Sequence, residues 1–351
     1  MEFTDKLLQW YRFNKRELPW RKTGDPYRIW LSEIILQQTR IGQGLPYYEK
    51  FVLTYPDIRA LAEASEEDVL KLWQGLGYYS RARNMHKAAK IVMRLFDGVF
   101  PDTRDLILGL PGIGEYTAAA IGSIAFHLPD PVVDGNVLRF FCRYFGITDP
   151  VTSSKTKQAV KEKASELIDP ADPGSFNQAM MEFGALQCIP VAPSCGQCLF
   201  QQSCYASLHG LADVLPARSE MITKRFRYFN YLVVRCNDNP GLIVKKRKAR
   251  DIWKGLYDFP LIETQGASSV KSLKLTPDWD IIDKMGLYPG IQRSAIFRHV
   301  LTHQVIFARF IELRVKSPSG LPDGWKWTAD LNKLAIPRLI EKYLQQNQRF
   351  L

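Results

Sequence analysis

The sequence has no long apolar run, few cysteines and an N-terminus without the features of a secretory signal. No stretch reaches the ~18 apolar residues that a membrane-spanning helix needs, which excludes a helical membrane protein. Because no targeting segment is seen, we expect a cytoplasmic protein whose thiols stay reduced. Only Cys142 and Cys236 lie outside a group of four cysteines within residues 188–204.

The four grouped cysteines are Cys188, Cys195, Cys198 and Cys204, with six, two and five residues between them. Four thiolates so close in sequence can enclose one metal centre, and such soft ligands select an iron-sulfur cluster or zinc. Zinc ribbons usually carry two Cys-x-x-Cys pairs, whereas only Cys195 and Cys198 form one here. The uneven spacing therefore favours one 4Fe-4S cluster, with zinc and disulfides as the alternatives.

The positive charge is concentrated in the C-terminal part of the chain. The 351 residues carry a net charge of +11 and are 46% hydrophobic, which predicts two or three domains and an anionic partner. Residues 1–209 hold 23 Lys and Arg against 23 Asp and Glu, while residues 210–351 hold 24 against 13. The densest run, Lys245–Lys248 with Arg250, predicts either a solvated hairpin edge or a phosphate contact.

The spacing of apolar residues changes along the chain. Residues 1–209 show helical spacing interrupted by prolines, whereas residues 225–351 show alternating, β-branched and aromatic runs with a helix near the end. Residues 210–224 have the composition of a linker. The pattern predicts a multi-domain protein in which an all-α domain precedes an α+β domain.

The segment from Leu110 to Ile121 predicts a helix-hairpin-helix over about residues 105–125. Gly112 and Gly114 permit a tight turn, and a helix of small residues follows at once. Backbone amides at such a turn can hold a phosphate, although a Leu-Pro-Gly-Ile-Gly turn is also common as a plain helix connector.

Two carboxylates stand in contexts that suit chemistry as well as structure. Asp134 ends an apolar run before a new helix, where aspartate commonly serves only as an N-cap. Glu33 lies within an apolar helical segment, where burial would raise its pKa toward that of a general acid; the alternative is an ordinary surface glutamate.

The hairpin together with the 6-2-5 cysteine loop resembles the endonuclease III superfamily of base-excision DNA glycosylases. Further strings are similar to MutY-type adenine DNA glycosylases, and they occupy residues 18–21, 32–39, 73–81 and 176–185. The resemblance extends over nearly the whole chain. It implies a helix-hairpin-helix glycosylase core with an iron-sulfur loop at 188–204, followed by a MutT-like (Nudix-fold) domain.

The resemblance implies that Glu33 protonates the base and Asp134 stabilises the sugar cation, with Tyr116 and Asn136 holding the pair. Glycosylases that also cleave the strand carry a lysine where this chain has Tyr116, so hydrolysis without intrinsic strand cleavage is expected. The substrate would be an adenine flipped out of duplex DNA, opposite 8-oxoguanine or guanine.

Further residues acquire expected roles from the same resemblance. Those expected to line the adenine pocket are Trp20, Arg21, Gln178 and Met181, and those expected to wedge into the DNA are Leu36, Gln38 and Tyr78. In the C-terminal domain no glutamate-rich Nudix helix follows residues 253–260, which indicates a binding module. Its predicted 8-oxoguanine-reading residues are Leu301, Thr302 and His303, where MutY-type enzymes commonly have Phe-Ser-His.

The expected partner is double-stranded DNA containing a mispaired adenine, bound by a monomer, with no membrane involved. Two other functions compete with this interpretation. One is another glycosylase of the superfamily, acting on mismatched thymine or oxidised pyrimidines. The other is a non-catalytic iron-sulfur DNA-binding module, which would leave Glu33 and Asp134 without a purpose.

Overall fold

A computed structural model describes residues 2–217, 223–236, 241–248, 251–316 and 321–347. The chain packs as two compact units, Met1–Glu63 with Asn84–Glu220 and Ala64–Arg83 with Met221–Leu351. The division expected from sequence, at residues 209 and 225, stays a prediction. Part of the predicted linker 210–224 lies outside the described residues, as does Arg250. No helix in the described ranges is long and apolar enough to cross a membrane.

The helices confirm the predicted all-α character of the first part. Residues 64–83 of the second unit contribute α5 and the start of α6. The helices are α1 Phe3–Asn14, α2 Pro26–Leu36, α3 Ile41–Thr54, α4 Ile58–Glu63, α5 Glu66–Leu72, α6 Ser80–Leu95, α7 Arg104–Leu108, α8 Glu115–Phe126, α9 Gly135–Phe145, α10 Ser154–Leu167, α11 Pro173–Leu186 and α12 Tyr205–Leu208.

Helix α3 begins at Ile41, in a segment that contains two glycines. Gly42 and Gly44 weaken the helical pattern at its start. Gly44 lies close to α2, because a Cβ atom there would approach the Leu36 side chain to 2.8 Å. The glycine therefore serves close packing of α3 against the end of α2.

The first unit is built around α11, which packs against α1, α8 and α9. Phe140 on α9, Phe183 on α11 and Phe200 are buried together, and their ring centroids lie 4.6–5.7 Å apart. Aromatic contacts of this kind add to the free energy gained by burying the rings. This core fixes the C-terminal half of α11 and the start of the cysteine loop.

The second unit contains two sheets, and with its helices it confirms the predicted α+β class. The remaining elements are β1 Arg225–Cys236, β2 Leu242–Lys246, β3 Tyr257–Asp258, β4 Leu261–Thr264, α13 Val270–Leu273, α14 Pro277–Asp283, β5 Gln292–Arg293, β6 Phe297–Val300, β7 Gln304–Val315, β8 Trp325–Thr328 and α15 Arg338–Gln346. Strands β1 and β7 pair in parallel along their whole length, with β4 beyond β1 and with β5 and β6 beyond β7. Strands β3, β2 and β8 form the smaller sheet.

The basic run at the end of β2 is largely neutralised within the second unit. Lys246 pairs with Glu67 at 2.6 Å, Arg247 with Asp258 at 2.6 Å, and Lys248 with Asp323 at 2.8 Å. Paired cations gain less from a phosphate, because a new contact must compete with an existing carboxylate. The run is thus mainly a set of internal ion pairs.

Candidate active site

Asp134 is held at the N-terminus of α9. Its Oδ1 accepts hydrogen bonds from the backbone N–H groups of Asn136 at 2.9 Å and Val137 at 2.7 Å, and its Oδ2 accepts one from Asn136 Nδ2 at 2.7 Å. Burial raises the pKa of Asp134, and these three hydrogen bonds oppose the rise. The N-cap suggested by local sequence is therefore present, and it leaves a partly buried carboxyl group that is fixed in direction.

Asn136 is itself oriented by Arg139, one helical turn later. The Arg139 guanidinium donates to Asn136 Oδ1 at 3.0 Å and to the carbonyl oxygens of Gly184 at 2.5 Å and Cys188 at 2.8 Å. With its oxygen engaged, the Asn136 amide turns its N–H group toward Asp134. No local pattern indicated this role for Arg139, because the two carbonyl oxygens that hold its guanidinium belong to residues 45 and 49 positions away.

Helices α9 and α11 approach closely at this point because residue 184 is glycine. A Cβ atom there would come within 2.7 Å of the carbonyl oxygen of Asn136. The buried Asn177 also holds this segment. Its side chain accepts a hydrogen bond from Val132 N at 2.9 Å and donates one to the Asp130 carbonyl oxygen at 2.8 Å. Together these contacts fix the segment that carries Asp134.

Glu33 lies on α2, half-buried, in electrostatic contact with Asp134 and Tyr116. The pKa of Glu33 is raised to about 7, mainly by burial and also by the nearby Asp134 carboxyl, against the Tyr116 hydroxyl and Arg21, which lower it. A carboxyl with this pKa holds its proton through part of the neutral range. The structure thus brings together Glu33, Asp134, Tyr116 and Asn136, the four residues that the resemblance singled out.

Tyr116 is the second residue of α8, directly after the hairpin. Its hydroxyl lies 3.4 Å from the Met181 sulfur and within hydrogen-bonding reach of Glu33. The carboxylate is the stronger acceptor of the two. Burial raises the pKa of Tyr116 well above its ordinary value, so the phenol stays protonated and can donate.

A buried carboxylate that sequence reasoning missed lies beside this group. Glu182 on α11 accepts bidentate hydrogen bonds from Arg21 at 2.8 and 2.9 Å and three from Arg16. Burial alone would raise the pKa of Glu182, but these hydrogen bonds lower it to about 2. The only local signal was an acid within an apolar helix, since its partners lie 166 and 161 residues away.

The expected adenine-pocket residues differ in accessibility. Gln178 lies one turn before Glu182, and its Oε1 accepts a hydrogen bond from the Tyr11 hydroxyl at 3.0 Å. Met181 is partly buried against Tyr116. Trp20 is almost fully buried, edge-on to Tyr48, with ring centroids 5.0 Å apart. Trp20 is thus part of the hydrophobic core at this point.

The hairpin has the geometry expected from its glycines. Gly112 has φ +83°, and a Cβ atom there would lie 2.8 Å from Asn84 Cβ. Gly114 is the N-cap of α8 and has open space around it. Arg104 forms an ion pair with Glu115 at the start of α8 and with Asp130 at 2.6 Å. The amides at the α8 N-terminus remain available to an anion.

Two of the expected wedge residues lie at the end of α2 in the first unit. Leu36 packs next to Gly44, and Gln38 is exposed with φ 53° in the connection to α3. A non-glycine residue with positive φ is uncommon and often marks a functional position.

The third expected wedge residue, Tyr78, belongs to the second unit, where its hydroxyl contacts the Thr302 hydroxyl. It is 45% exposed and has φ 47°. Thr302 and His303 are exposed at the turn between β6 and β7, while Leu301 packs on the core. A cleft of about 480 Å³ is lined here by residues 75–80 and 299–304 with Trp253.

The four grouped cysteines line one small apolar cavity together with Phe140, Phe183 and Phe200. Arg143 donates to Cys188 Sγ at 3.5 Å and to the Ile189 carbonyl at 2.7 Å, and the Phe200 N–H donates to Cys198 Sγ at 3.5 Å. None of the four is in a disulfide. In the described part of the chain no three His, Cys, Asp or Glu side chains form a metal-ion site. The thiols thus surround a cavity without meeting at one point.

Two family models match the chain. Residues 31–170 match the HhH-GPD superfamily of base excision DNA repair proteins, and residues 230–346 match the NUDIX domain. The chain is 31% identical over 355 residues to an adenine DNA glycosylase of Buchnera aphidicola subsp. Schizaphis graminum, covering 98% of each chain. A second, from the subspecies Acyrthosiphon pisum, is 36% identical over 74% of this chain and 73% of the relative.

A solved thermostable thymine-DNA glycosylase resembles the helical part. It is 30% identical, with a TM-score of 0.54, and the match covers 59% of this chain and 95% of that one. The match to the glycosylase of subspecies Schizaphis graminum therefore covers more of this chain than the match to this solved structure does. By that full-length match and the paired HhH-GPD and NUDIX regions, the chain belongs to the MutY-type adenine DNA glycosylases, hydrolases of N-glycosyl bonds in base excision repair.

Proposed function

We propose that the chain removes adenine paired with 8-oxoguanine or guanine, with Glu33 as the general acid and Asp134 as the stabiliser of the sugar cation. The observation that carries this proposal is the grouping of both carboxyls around Tyr116, with the pKa of Glu33 raised to about 7. Two acids in unlike environments can divide the roles of proton donor and cation stabiliser.

In the proposed reaction, Glu33 gives its proton to a ring nitrogen of adenine, and the bond between that base and the sugar breaks. Adenine keeps the bonding electrons, and positive charge develops on the sugar. Asp134, directed by its three hydrogen bonds, lies where a fixed negative charge can stabilise that cation. Glu33, now ionised, takes a proton from the water that attacks the sugar.

We further propose that the chain does not cleave the strand. A lyase needs an unprotonated amine that attacks the sugar and forms a Schiff base. At the start of α8 this chain has Tyr116, whose raised pKa keeps the phenol neutral, and whose hydroxyl is directed to Glu33. An abasic site with an intact backbone is the expected product.

For the extrahelical base, we propose a pocket bordered by Arg21, Gln178 and Met181. The hydrogen bond from Tyr11 occupies the Gln178 oxygen, which leaves its amide N–H groups to donate to adenine ring nitrogens. The Glu182 carboxylate holds Arg21 in place and compensates its charge. Trp20 would support this wall from the core.

We propose that the cleft in the second unit reads the base opposite the adenine. Its exposed Thr302 and His303 offer hydrogen-bonding groups, and Tyr78 offers an aromatic ring. Leu301 would then serve as the anchor of the turn, because it packs on the core.

We propose that the four cysteines hold one 4Fe-4S cluster. Four thiols lining one apolar cavity, with N–H groups directed at two of the sulfurs, suit thiolate ligation of such a cluster. The cluster would fix the loop whose Cys188 carbonyl anchors Arg139.

A glycosylase assay tests the main proposal. Four duplexes carry adenine opposite 8-oxoguanine, adenine opposite guanine, thymine opposite guanine, and thymine glycol, and single-turnover base release is followed before and after alkali. We expect release only from the two adenine duplexes, with strand breaks only after alkali. Release of thymine alone would favour the thymine-mismatch alternative, and release of no base would favour a binding module.

A further inference from the structure

One face of the large sheet in the second unit carries a group of apolar side chains, of which Phe226, Ile296 and Val300 are exposed and Tyr228 and Phe307 half-buried. We call Phe226, Tyr228, Ile296, Val300 and Phe307 the aromatic face. The Phe307 ring lies 5.4 Å from that of Tyr228 and 6.1 Å from that of Phe226, with interplanar angles of 22° and 29°. Phe226 is 60% exposed, Ile296 56% and Val300 45%.

Among the described residues, helices cover one end of this sheet face, and the aromatic face lies at the other end. Further along β7 on the same side, Ile311 and Leu313 are fully buried in a cluster with Trp279 and Ile282 of α14. Near the start of β1 and β7, the rings of Phe226, Tyr228 and Phe307 belong to neither of the two buried clusters that the described helices form with the sheets of this unit. Contiguous exposed apolar side chains of this kind commonly mark a binding surface.

The charges on this surface are of one sign. Strand register places ten residues on this part of the face, and the two charged ones, Arg298 and Arg309, are both cationic. The ten are Phe226, Tyr228, Asn230, Ile262, Thr264, Arg298, Val300, Val305, Phe307 and Arg309. Two arginines beside three aromatic rings, without a carboxylate among these positions, complement an anionic partner that has flat apolar groups.

A cavity of about 110 Å³ adjoins the rings and gives the surface depth. It is lined by Tyr228, Ile296, Phe307, Arg309 and the loop 266–268. Arg309 donates to the Ser268 carbonyl at 2.9 Å, which fixes its guanidinium at the rim. A flat ring entering here would meet an aromatic ring and a positioned cation.

We propose that the aromatic face binds single-stranded nucleic acid, with unpaired bases stacked on Phe226, Tyr228 and Phe307 and phosphates near Arg298 and Arg309. Aromatic residues on the central strands of a sheet are a recurrent platform for unpaired bases, because every base has a π-face. The nearly parallel rings suit stacked bases better than they suit a peptide, which needs separate pockets for alternate side chains. The site is distinct from the active-site carboxyls of the first unit.

The test uses the full chain with its duplex site saturated by a duplex that carries 2′-fluoro-2′-deoxyadenosine opposite guanine. Fluorescence anisotropy then follows labelled dT12, with rU12 in a second arm to distinguish DNA from RNA. We expect wild-type protein to bind at least one of these oligonucleotides. Phe307→Ala and Tyr228→Ala should each weaken binding about tenfold or more, because stacking of one base contributes roughly that factor.

Two variants make the result specific. Leu275→Ala removes an apolar side chain that is 86% exposed elsewhere in the second unit, and it should bind as wild type does. Arg298→Glu, at an exposed position, should weaken binding and reduce its salt dependence even if a ring variant folds poorly. Adenine release from duplex should be unchanged in all four variants.

The proposal is overturned if Phe307→Ala and Arg298→Glu both bind the oligonucleotides as wild type does. It is also overturned if neither oligonucleotide binds while a labelled oligoglutamate peptide does, which would assign the face to an acidic protein segment. Concentration-dependent dimerisation abolished by Phe307→Ala, without oligonucleotide binding, would assign it to a second copy of the chain. Since adenine release is measured separately, these outcomes are distinguishable from failure of the proposed glycosylase function.

Discussion

Asn136 donates a 2.7 Å hydrogen bond to Asp134 while its own oxygen accepts one from Arg139. The Asp134 carboxyl is therefore directed by a side chain that is anchored, through Arg139, on the carbonyl of Cys188, the first of the four grouped cysteines. The Asn136 amide thus links a local N-cap to Arg139, whose contact with Cys188 joins residues 49 positions apart. This arrangement couples the orientation of Asp134 to the integrity of the cysteine loop.

Replacing Asn136 by alanine should lower the rate of adenine release about tenfold to a hundredfold, since a hydrogen bond to a charged group contributes roughly 1.5–3 kcal/mol. Because that bond opposes the raised pKa of Asp134, its loss should move the acidic limb of the pH–rate profile to higher pH. Gln158→Ala, which removes an exposed hydrogen bond to Glu162, is the matched control. An unchanged pH profile with a reduced melting temperature would indicate a structural role only.

The rate of adenine release should fall as pH rises through about 7. Burial raises the pKa of Glu33 to about 7, so its proton is present below that pH and lost above it. Single-turnover rates between pH 5 and 9 measure the limb. In Glu33→Gln we expect release to be abolished, with affinity for the duplex within about tenfold of wild type, because the proton acts mainly in the transition state.

The same raised pKa has a consequence for stability. The folded protein binds a proton at Glu33 more tightly than the unfolded chain, whose pKa is near 4.5. The carboxyl therefore becomes unfavourable to folding as pH rises from about 4.5 through 7. Glu33→Gln should raise the melting temperature at pH 8 and leave it nearly unchanged at pH 4. An equal shift at both values would contradict the raised pKa.

Glu182→Gln should destabilise the first unit at neutral pH, by about 3–5 kcal/mol in the free energy of unfolding, because it leaves Arg21 largely buried without its counter-charge. Hydrogen bonds lower the pKa of Glu182 to about 2, so its contribution is present above about 4.5 and declines as pH falls toward 2. The difference from wild type should thus shrink at pH 3. Glu166→Gln, in an exposed pair with Lys163, should change stability by less than about 1 kcal/mol.

Short-range features of this chain could be predicted from sequence, and long-range pairings could not. Strand β7, Gln304–Val315, lies in the part of the chain whose alternating pattern predicted strands, and the Asp134 cap follows from an acid placed before a helix. The parallel pairing of β1 with β7 joins segments about 80 residues apart, and no local pattern specifies it. The same holds for Arg16 with Glu182 and for Tyr78 with Thr302.

The family resemblance implied catalytic roles for Glu33 and Asp134, which local sequence patterns left open. Sequence spacing alone favoured a simple cap for Asp134, and for Glu33 it left both a buried acid and an ordinary surface glutamate open. The structure has Asp134 as a cap that also interacts electrostatically with Glu33, because a capping carboxylate uses only part of its accepting capacity. The two interpretations were therefore compatible. The roles of both residues in catalysis stay predictions that the variants above test.

Purified protein should be yellow-brown, absorb broadly near ~400 nm and contain about four irons per chain, as thiolate ligation of a 4Fe-4S cluster implies. Cys198→Ser should lower both iron content and folded yield, because cluster binding and local folding are coupled. Cys142→Ser is the matched control, since Cys142 is buried but lies outside the four cysteines that line the cavity. Colourless, active protein with stoichiometric zinc would contradict the cluster.

Thr302→Ala and Tyr78→Phe each remove one hydroxyl of a contacting pair in the second unit. If this pair positions the turn that reads the lesion, each variant should lose much of the preference for 8-oxoguanine over guanine, and the double variant should lose little more, because the two side chains act together. The salt dependence of binding should not change, since neither substitution removes a charge.

The measurement is the ratio of single-turnover rates on the two adenine duplexes, with binding followed from 50 to 200 mM salt. Ser272→Ala, which removes an exposed hydroxyl on α13, is the control. Additive losses would indicate that the two hydroxyls act separately, and an unchanged ratio in both single variants would exclude this contact from lesion recognition.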